Sequence, residues 1–110
     1  MDTQKLDAFM GRFVGDLGAT LHAGMVVIGE RAGLYKALKD APMTSEELAG
    51  ATNTDPRYVR EWLSSQAAGG YVSFDREAGR FYLTEEQAFA LTEEDSPAYS
   101  LAPFSWLSAP

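Results

Sequence analysis

From the first residues, apolar positions recur at steps of three and four. Leu6, Phe9, Met10, Phe13, Val14, Leu17 and Leu21 predict an amphipathic helix capped by Asp2 or Thr3. From Leu21 to Gly29 the sequence LHAGMVVIG is apolar on nearly every side, the pattern of a helix buried all round. After Glu30 and Arg31, Leu34, Tyr35 and Leu38 predict a short amphipathic helix that ends at Ala41-Pro42, because the residue before proline avoids helical geometry. Thr44 and Glu47 then form a T-x-x-E capping box, with Met43 and Leu48 at the positions of a hydrophobic staple. Asp55 and Pro56 open a further helix as cap and first residue. Its buried stripe is expected at Val59, Trp62, Leu63 and Ala67, and Gly69-Gly70 stop it. Next, Val72 and Phe74 alternate with Tyr71 and Ser73, and Phe81 and Leu83 with Arg80 and Tyr82, across a DREAG turn. Helix, turn, helix, hairpin is the order of a winged helix-turn-helix.

The pattern therefore predicts a mainly α fold in three parts. Residues 1–43 supply extra N-terminal helices, 44–84 the winged helix-turn-helix, and 85–110 a helical connector. In the last part Thr84 and Gln87 repeat the capping box before Ala88, Phe89 and Leu91, and Ser96-Pro97 starts a fresh helix. The tail carries Tyr99, Leu101, Phe104, Trp106 and Leu107. So apolar an end normally marks an interface, and the expectation is a cut where a further domain began.

Composition narrows the function classes. A chain of 110 residues is enough for one small domain. It has no cysteine, hence no disulfide and no thiolate metal ligand. The longest apolar run is far shorter than the roughly 20 residues of a membrane span, and MDTQKLDAF lacks the features of a signal peptide. A soluble, cytoplasmic protein is expected. The net charge of −7 is uneven: residues 1–40 hold five acids and five bases, 41–84 six acids and four bases, and 85–110 five acids and no base. That balance repels a phosphate backbone.

No constellation supports catalysis or a metal site. The single histidine, His22, lies in an apolar helix six residues from Asp16, and it is expected as a buried polar group with a satisfied partner. Gly11, Gly15 and Gly18 do not have the G-x-G-x-x-G spacing and no strand precedes them. After Gly24 and Gly29, Glu30-Arg31 stands where a P-loop requires Lys-Ser/Thr. The carboxylate pairs Glu46-Glu47, Glu85-Glu86 and Glu93-Glu94 sit at helix starts or in a connector, as caps and solvated charge. A DNA reader would use Arg57, Tyr58, Arg60, Glu61 and Ser64 on the second helix of the motif. Glu61 has the wrong sign for phosphate, however, and the wing carries as many acids as bases.

One feature of the first helix has two readings. Ala8, Gly11, Gly15 and Gly18 form a row of small residues, although glycine inside a helix costs about 0.5–1 kcal/mol relative to alanine. A second backbone is expected close by, either within the same domain or from another subunit.

GLYKAL, TSEELA, TDPRYVREWLSSQAAGGYV and GRFYLT, followed by an acidic stretch and SPAY, closely resemble a family of bacterial S-adenosylmethionine-dependent methyltransferases. The resemblance runs roughly from Phe13 to Phe104. It implies a helical, winged-helix N-terminal domain that dimerises the enzyme and closes over a small-molecule substrate, ahead of a class I Rossmann-like catalytic domain. On this reading Phe9, Gly11, Phe13, Val14, Gly15, Leu17 and Gly18 form the homodimer contact, and Leu21, His22 and Met25 are candidates for the substrate lid. Catalytic and cofactor-binding residues are absent from this stretch; S-adenosylmethionine would belong to the C-terminal domain. The alternative is a winged-helix DNA-binding transcription regulator.

Overall fold

The computed structural model describes residues 1–95. The expected helix start at Ser96-Pro97 and the aromatic tail lie outside the described residues. Five helices and one two-stranded antiparallel sheet follow in the order α1 (Thr3–Arg31), α2 (Leu34–Asp40), α3 (Ser45–Thr52), α4 (Pro56–Ala68), β1 (Ser73–Asp75), β2 (Arg80–Tyr82) and α5 (Glu85–Thr92). This is a mainly helical winged helix-turn-helix.

Local chemistry sets each boundary. The Asp2 carboxylate accepts the backbone N–H of Gln4 and Lys5 at the start of α1. Both capping boxes form, at Thr44/Glu47 and at Thr84/Gln87. Asp55 caps α4 through the Arg57 N–H, with Pro56 in the first turn. At the other end of α4, Tyr71 N–H bonds the Gln66 carbonyl (2.9 Å) and Gly70 N–H that of Ala67 (3.1 Å), which is a Schellman closure. That closure needs a left-handed residue, and Gly70 has φ 81°.

The core lies where α1, α2, α3 and α4 meet. Trp62 of α4 is fully buried, packs edge-on against Tyr35 of α2 (centroids 5.0 Å apart), and donates its indole N–H to the Met25 carbonyl of α1 at 2.9 Å. Leu34, Leu38, Leu48, Val59 and Leu63 fill the space around it. Burying a Trp with its N–H satisfied stabilises through area without leaving an orphan donor. The Tyr35 hydroxyl donates to Gln66, and burial, then the neighbouring Tyr71, pushes its pKa well up.

Three expectations need correction. The helix stripe of α4 is completed by Gln66, wholly buried, rather than by half-buried Ala67, since residue 66 is one turn on from Trp62. Phe74 pairs with Phe81 across the hairpin (centroids 4.7 Å) yet stays exposed, because three-residue strands carry the wing tip past the helices that would cover it. The stretch Leu21–Gly29 is not buried all round. It continues α1 without a break; Val26, Val27 and Gly29 face the core while Leu21, Gly24 and Ile28 face outward. The described residues lay one layer against α1, so one side stays bare.

The wing gains a bridge that periodicity did not suggest. Met43, just before α3, exchanges both backbone hydrogen bonds with Phe81 (2.9 and 2.8 Å). Arg80 of the wing bonds Glu47 of α3 at 3.2 Å. The Thr44 N–H, and after it Arg80, hold the Glu47 carboxyl below its ordinary range. Its contribution is present above the ordinary carboxylate pKa and lost as pH falls through the lowered one.

The bare faces of the first helix

A residue advances about 100° around an α-helix. On α1, Leu6, Met10, Phe13, Leu17, Leu21, Gly24 and Ile28 therefore share one sector about 80° wide, and all are exposed. Gly11, Gly15 and Gly18 share a second sector about 60° wide, in line with the side that Gly29 turns to the core. Gly15 lies about 160° around from Phe13 and Gly18 about 60° from Leu21, so the small row runs from the edge of the apolar stripe round to its back. Both faces are bare over the first five turns: residues 1–21 are exposed throughout. A Cβ built on Gly11, Gly15 or Gly18 would meet nothing within 4 Å. Packing within the same domain, one of the two readings of these glycines, is not what the described residues show.

Beside Phe13 runs an open groove of about 500 Å³ lined by Phe9, Arg12, Phe13, Asp16, Leu17 and Thr20. Phe9 and Phe13 stack edge to face with centroids 6.2 Å apart, and Arg12 lies 6.0 Å from the Phe9 ring. Apolar periodicity does not single out Arg12 and Asp16. Their spacing of one turn on the rim of an apolar face was the available signal.

The three lid candidates do not share a face. Leu21 is 73% exposed on the bare side. Met25 is half-buried against the core and gives its carbonyl to Trp62. His22 is half-buried, its ring edge-on to Tyr71 at 4.3 Å, and its buried Nε2 has no hydrogen-bond partner among the described residues. A satisfied histidine was the expectation. Carbon surroundings explain the difference: the ring meets Tyr71 on one side, and a Cβ on Gly69 would come within 2.7 Å of its Cε1. Tyr71 is in turn one wall of an open groove of about 340 Å³ with Glu86, Gln87, Ala90 and Leu91. Gln87 ties that wall together, accepting from Ser73 Oγ and donating to the Gly70 carbonyl, each at 3.0 Å.

Residues 20–93 match the family described as the Rv2258c-like winged HTH domain. The chain belongs to that family. No curated protein sequence matches it. Among solved structures, this winged HTH domain is similar to CalO1, a methyltransferase in calicheamicin biosynthesis solved in its SAH-bound form. Identity is 34%, the TM-score 0.65, and the match covers 89% of this chain and 27% of that one. The mitomycin 7-O-methyltransferase MmcR shares its fold with TM-score 0.79 at 23% identity, covering 99% of this chain and 32% of that one. So does the N,N-8-amino-8-demethyl-D-riboflavin dimethyltransferase RosA of Streptomyces davawensis, with TM-score 0.61 at 23% identity, over 86% and 26% of the two chains. The winged HTH domain thus spans about a quarter to a third of these structures, and what it matches is their N-terminal region.

The surface a DNA-reading winged helix would use is exposed in this domain. Arg57, Tyr58, Arg60, Glu61 and Ser64 all point outward from α4. Asp55, Arg57, Tyr58 and Glu61 line one small cleft there, two acids against one base. In the wing, Arg80 is paired with Glu47, so its charge is partly answered before any phosphate arrives.

The described residues do not fit S-adenosylmethionine. Such a cofactor wants a glycine turn between a strand and a helix. Here Gly11, Gly15, Gly18, Gly24 and Gly29 all lie inside α1, and the one sheet among the described residues is the two-stranded wing. No group of acids or histidine among them could hold a metal ion. No helix there is long and apolar enough to cross a membrane.

Proposed function

We propose that this chain is the N-terminal dimerisation and substrate-lid domain of a cytoplasmic, S-adenosylmethionine-dependent small-molecule methyltransferase. The observation that carries the reading is α1: five turns of apolar and glycine surface that no described residue covers. Exposed apolar area on this scale marks an interaction surface. In the dimer, Phe9, Phe13, Val14 and Leu17 meet a second copy on one side of α1. Gly11, Gly15 and Gly18 admit a close backbone on the other. Leu21, His22 and Met25, where α1 passes from bare to buried, border the substrate, and His22 is the one polar side chain of the three. Cofactor and catalytic residues belong to a following Rossmann-like domain, in keeping with the SAH-bound CalO1 structure.

Sedimentation equilibrium of the chain tests the assembly. A homodimer is expected at micromolar concentration; monomer throughout the micromolar range would overturn the reading. DNA binding at physiological salt should be weak and non-specific, from the acidic balance and Glu61 on α4. Sequence-specific binding tighter than about 10⁻⁸ M, the range of dedicated regulators, would instead favour the transcription regulator.

A further inference from the structure

The groove on α1 has an order that selects how a second copy sits in it. Its six residues read, from N to C, Phe9, Arg12, Phe13, Asp16, Leu17, Thr20. We propose that two copies of α1 pair antiparallel about a two-fold axis between residues 14 and 15, with Arg12 of each copy in an ion pair with Asp16 of the other. This rests on the dimer reading above and fixes its register.

A two-fold interface pairs the same patch with itself, so residue i meets j and j meets i. About that axis every residue of the groove finds a complement from the same set, to within one position. Phe9 comes opposite Thr20, Phe13 opposite Leu17, and Arg12 opposite Asp16. The base precedes the acid along α1, so an antiparallel copy presents acid to base twice. A parallel copy would set Arg12 beside Arg12 and Asp16 beside Asp16, which repel.

Neither charge is answered among the described residues. Among the described residues ion pairs join Lys39 to Glu93 and Arg80 to Glu47, and neither Arg12 nor Asp16 takes part in one. Arg12 leans over the Phe9 ring, and at Asp16 it is the backbone carbonyl that accepts from Thr20 Oγ1, at 2.9 Å. The base-before-acid order at this spacing is also the weaker one for pairing within a single helix. Charges placed like this on the rim of an apolar face set orientation and register more than raw affinity.

The test uses two single variants of the full 110-residue chain. Arg12→Glu sets two acids opposite each other at each of two places, and Asp16→Arg sets two bases there. Each variant alone should be a folded monomer by circular dichroism, with its dimer dissociation constant raised at least about tenfold. Mixed in equal amounts, they should form a heterodimer, because Arg12 of one variant then faces Asp16 of the other as in the parent, and the two substituted positions form the second pair with reversed sign. Native mass spectrometry reads the mixture. Single variants that dimerise like the parent, or a mixture that stays monomeric, overturn the proposed register while leaving the dimer reading intact. A monomeric parent chain removes both.

Discussion

Replacing Gly29 by alanine is expected to destabilise the fold, and replacing Gly24 by alanine to stabilise it, although both sit in one helix. At Gly29 the backbone of α1 packs directly on the Trp62 ring of α4. A Cβ there would lie 2.3 Å from Trp62 Cζ2 and 2.9 Å from Tyr35 Cε2, inside any real carbon–carbon contact. Neither ring has room to retreat, since Trp62 is 0% and Tyr35 1% exposed. Overpacking a filled core costs about 1–3 kcal/mol, and two immovable rings put this site at the top of that range. The gain in helix propensity of about 1 kcal/mol leaves a net loss of about 2. For a domain of this size that is a fall in melting temperature of roughly 10 °C. Around Gly24 nothing lies within 4 Å, so only the propensity term acts, with the opposite sign. Thermal melts followed by circular dichroism compare the two. Equal melting temperatures would mean that α1 does not rest on Trp62 as described.

Gly29 also shows what the sequence could and could not disclose. Caps and turns were legible because their chemistry is local: Thr44 with Glu47, Thr84 with Gln87, Asp55 before Pro56, and Gly70 past the end of α4 each act within a few residues. The order of elements followed from them, and the winged helix-turn-helix with it. Burial was less legible because it depends on what else is present. Periodicity named the bare stripe of α1 but assigned Leu21–Gly29 to a fully buried helix, since apolar composition does not reveal how many layers surround it. The five α1 glycines looked alike in sequence. Only the packing separates Gly29, pressed on a tryptophan, from four with open space beside them. Gln66 was passed over for Ala67 because a polar residue was discounted at a stripe position, although its place one turn after Trp62 marked it. His22 was visible as the single histidine, but its missing partner depends on Tyr71 and Gly69, distant in sequence.

Gly15→Leu is expected to leave the chain folded and to break the dimer. The two effects have separate physical causes, and the structure separates them. Among the described residues a Cβ at position 15 meets nothing within 4 Å, and leucine is a better helix former than glycine by about 1 kcal/mol. The folded monomer should therefore melt no lower than the parent. Across the dimer the same side chain occupies the space a close backbone would use, and separating two packed elements forfeits contacts along the whole crossing. Gly11, Gly15 and Gly18 each carry a helix penalty that no contact among the described residues offsets, which is the reason for placing a partner against them. This face is distinct from the Phe13 groove, so the variant tests a different side of α1 from the charge reversals at Arg12 and Asp16. Sedimentation equilibrium and circular dichroism on Gly15→Leu should give a folded monomer. A dimer of undiminished affinity would show the glycine face to be open, leaving the groove as the whole of the α1 contact. An unfolded chain would mean that Gly15 packs within its own subunit.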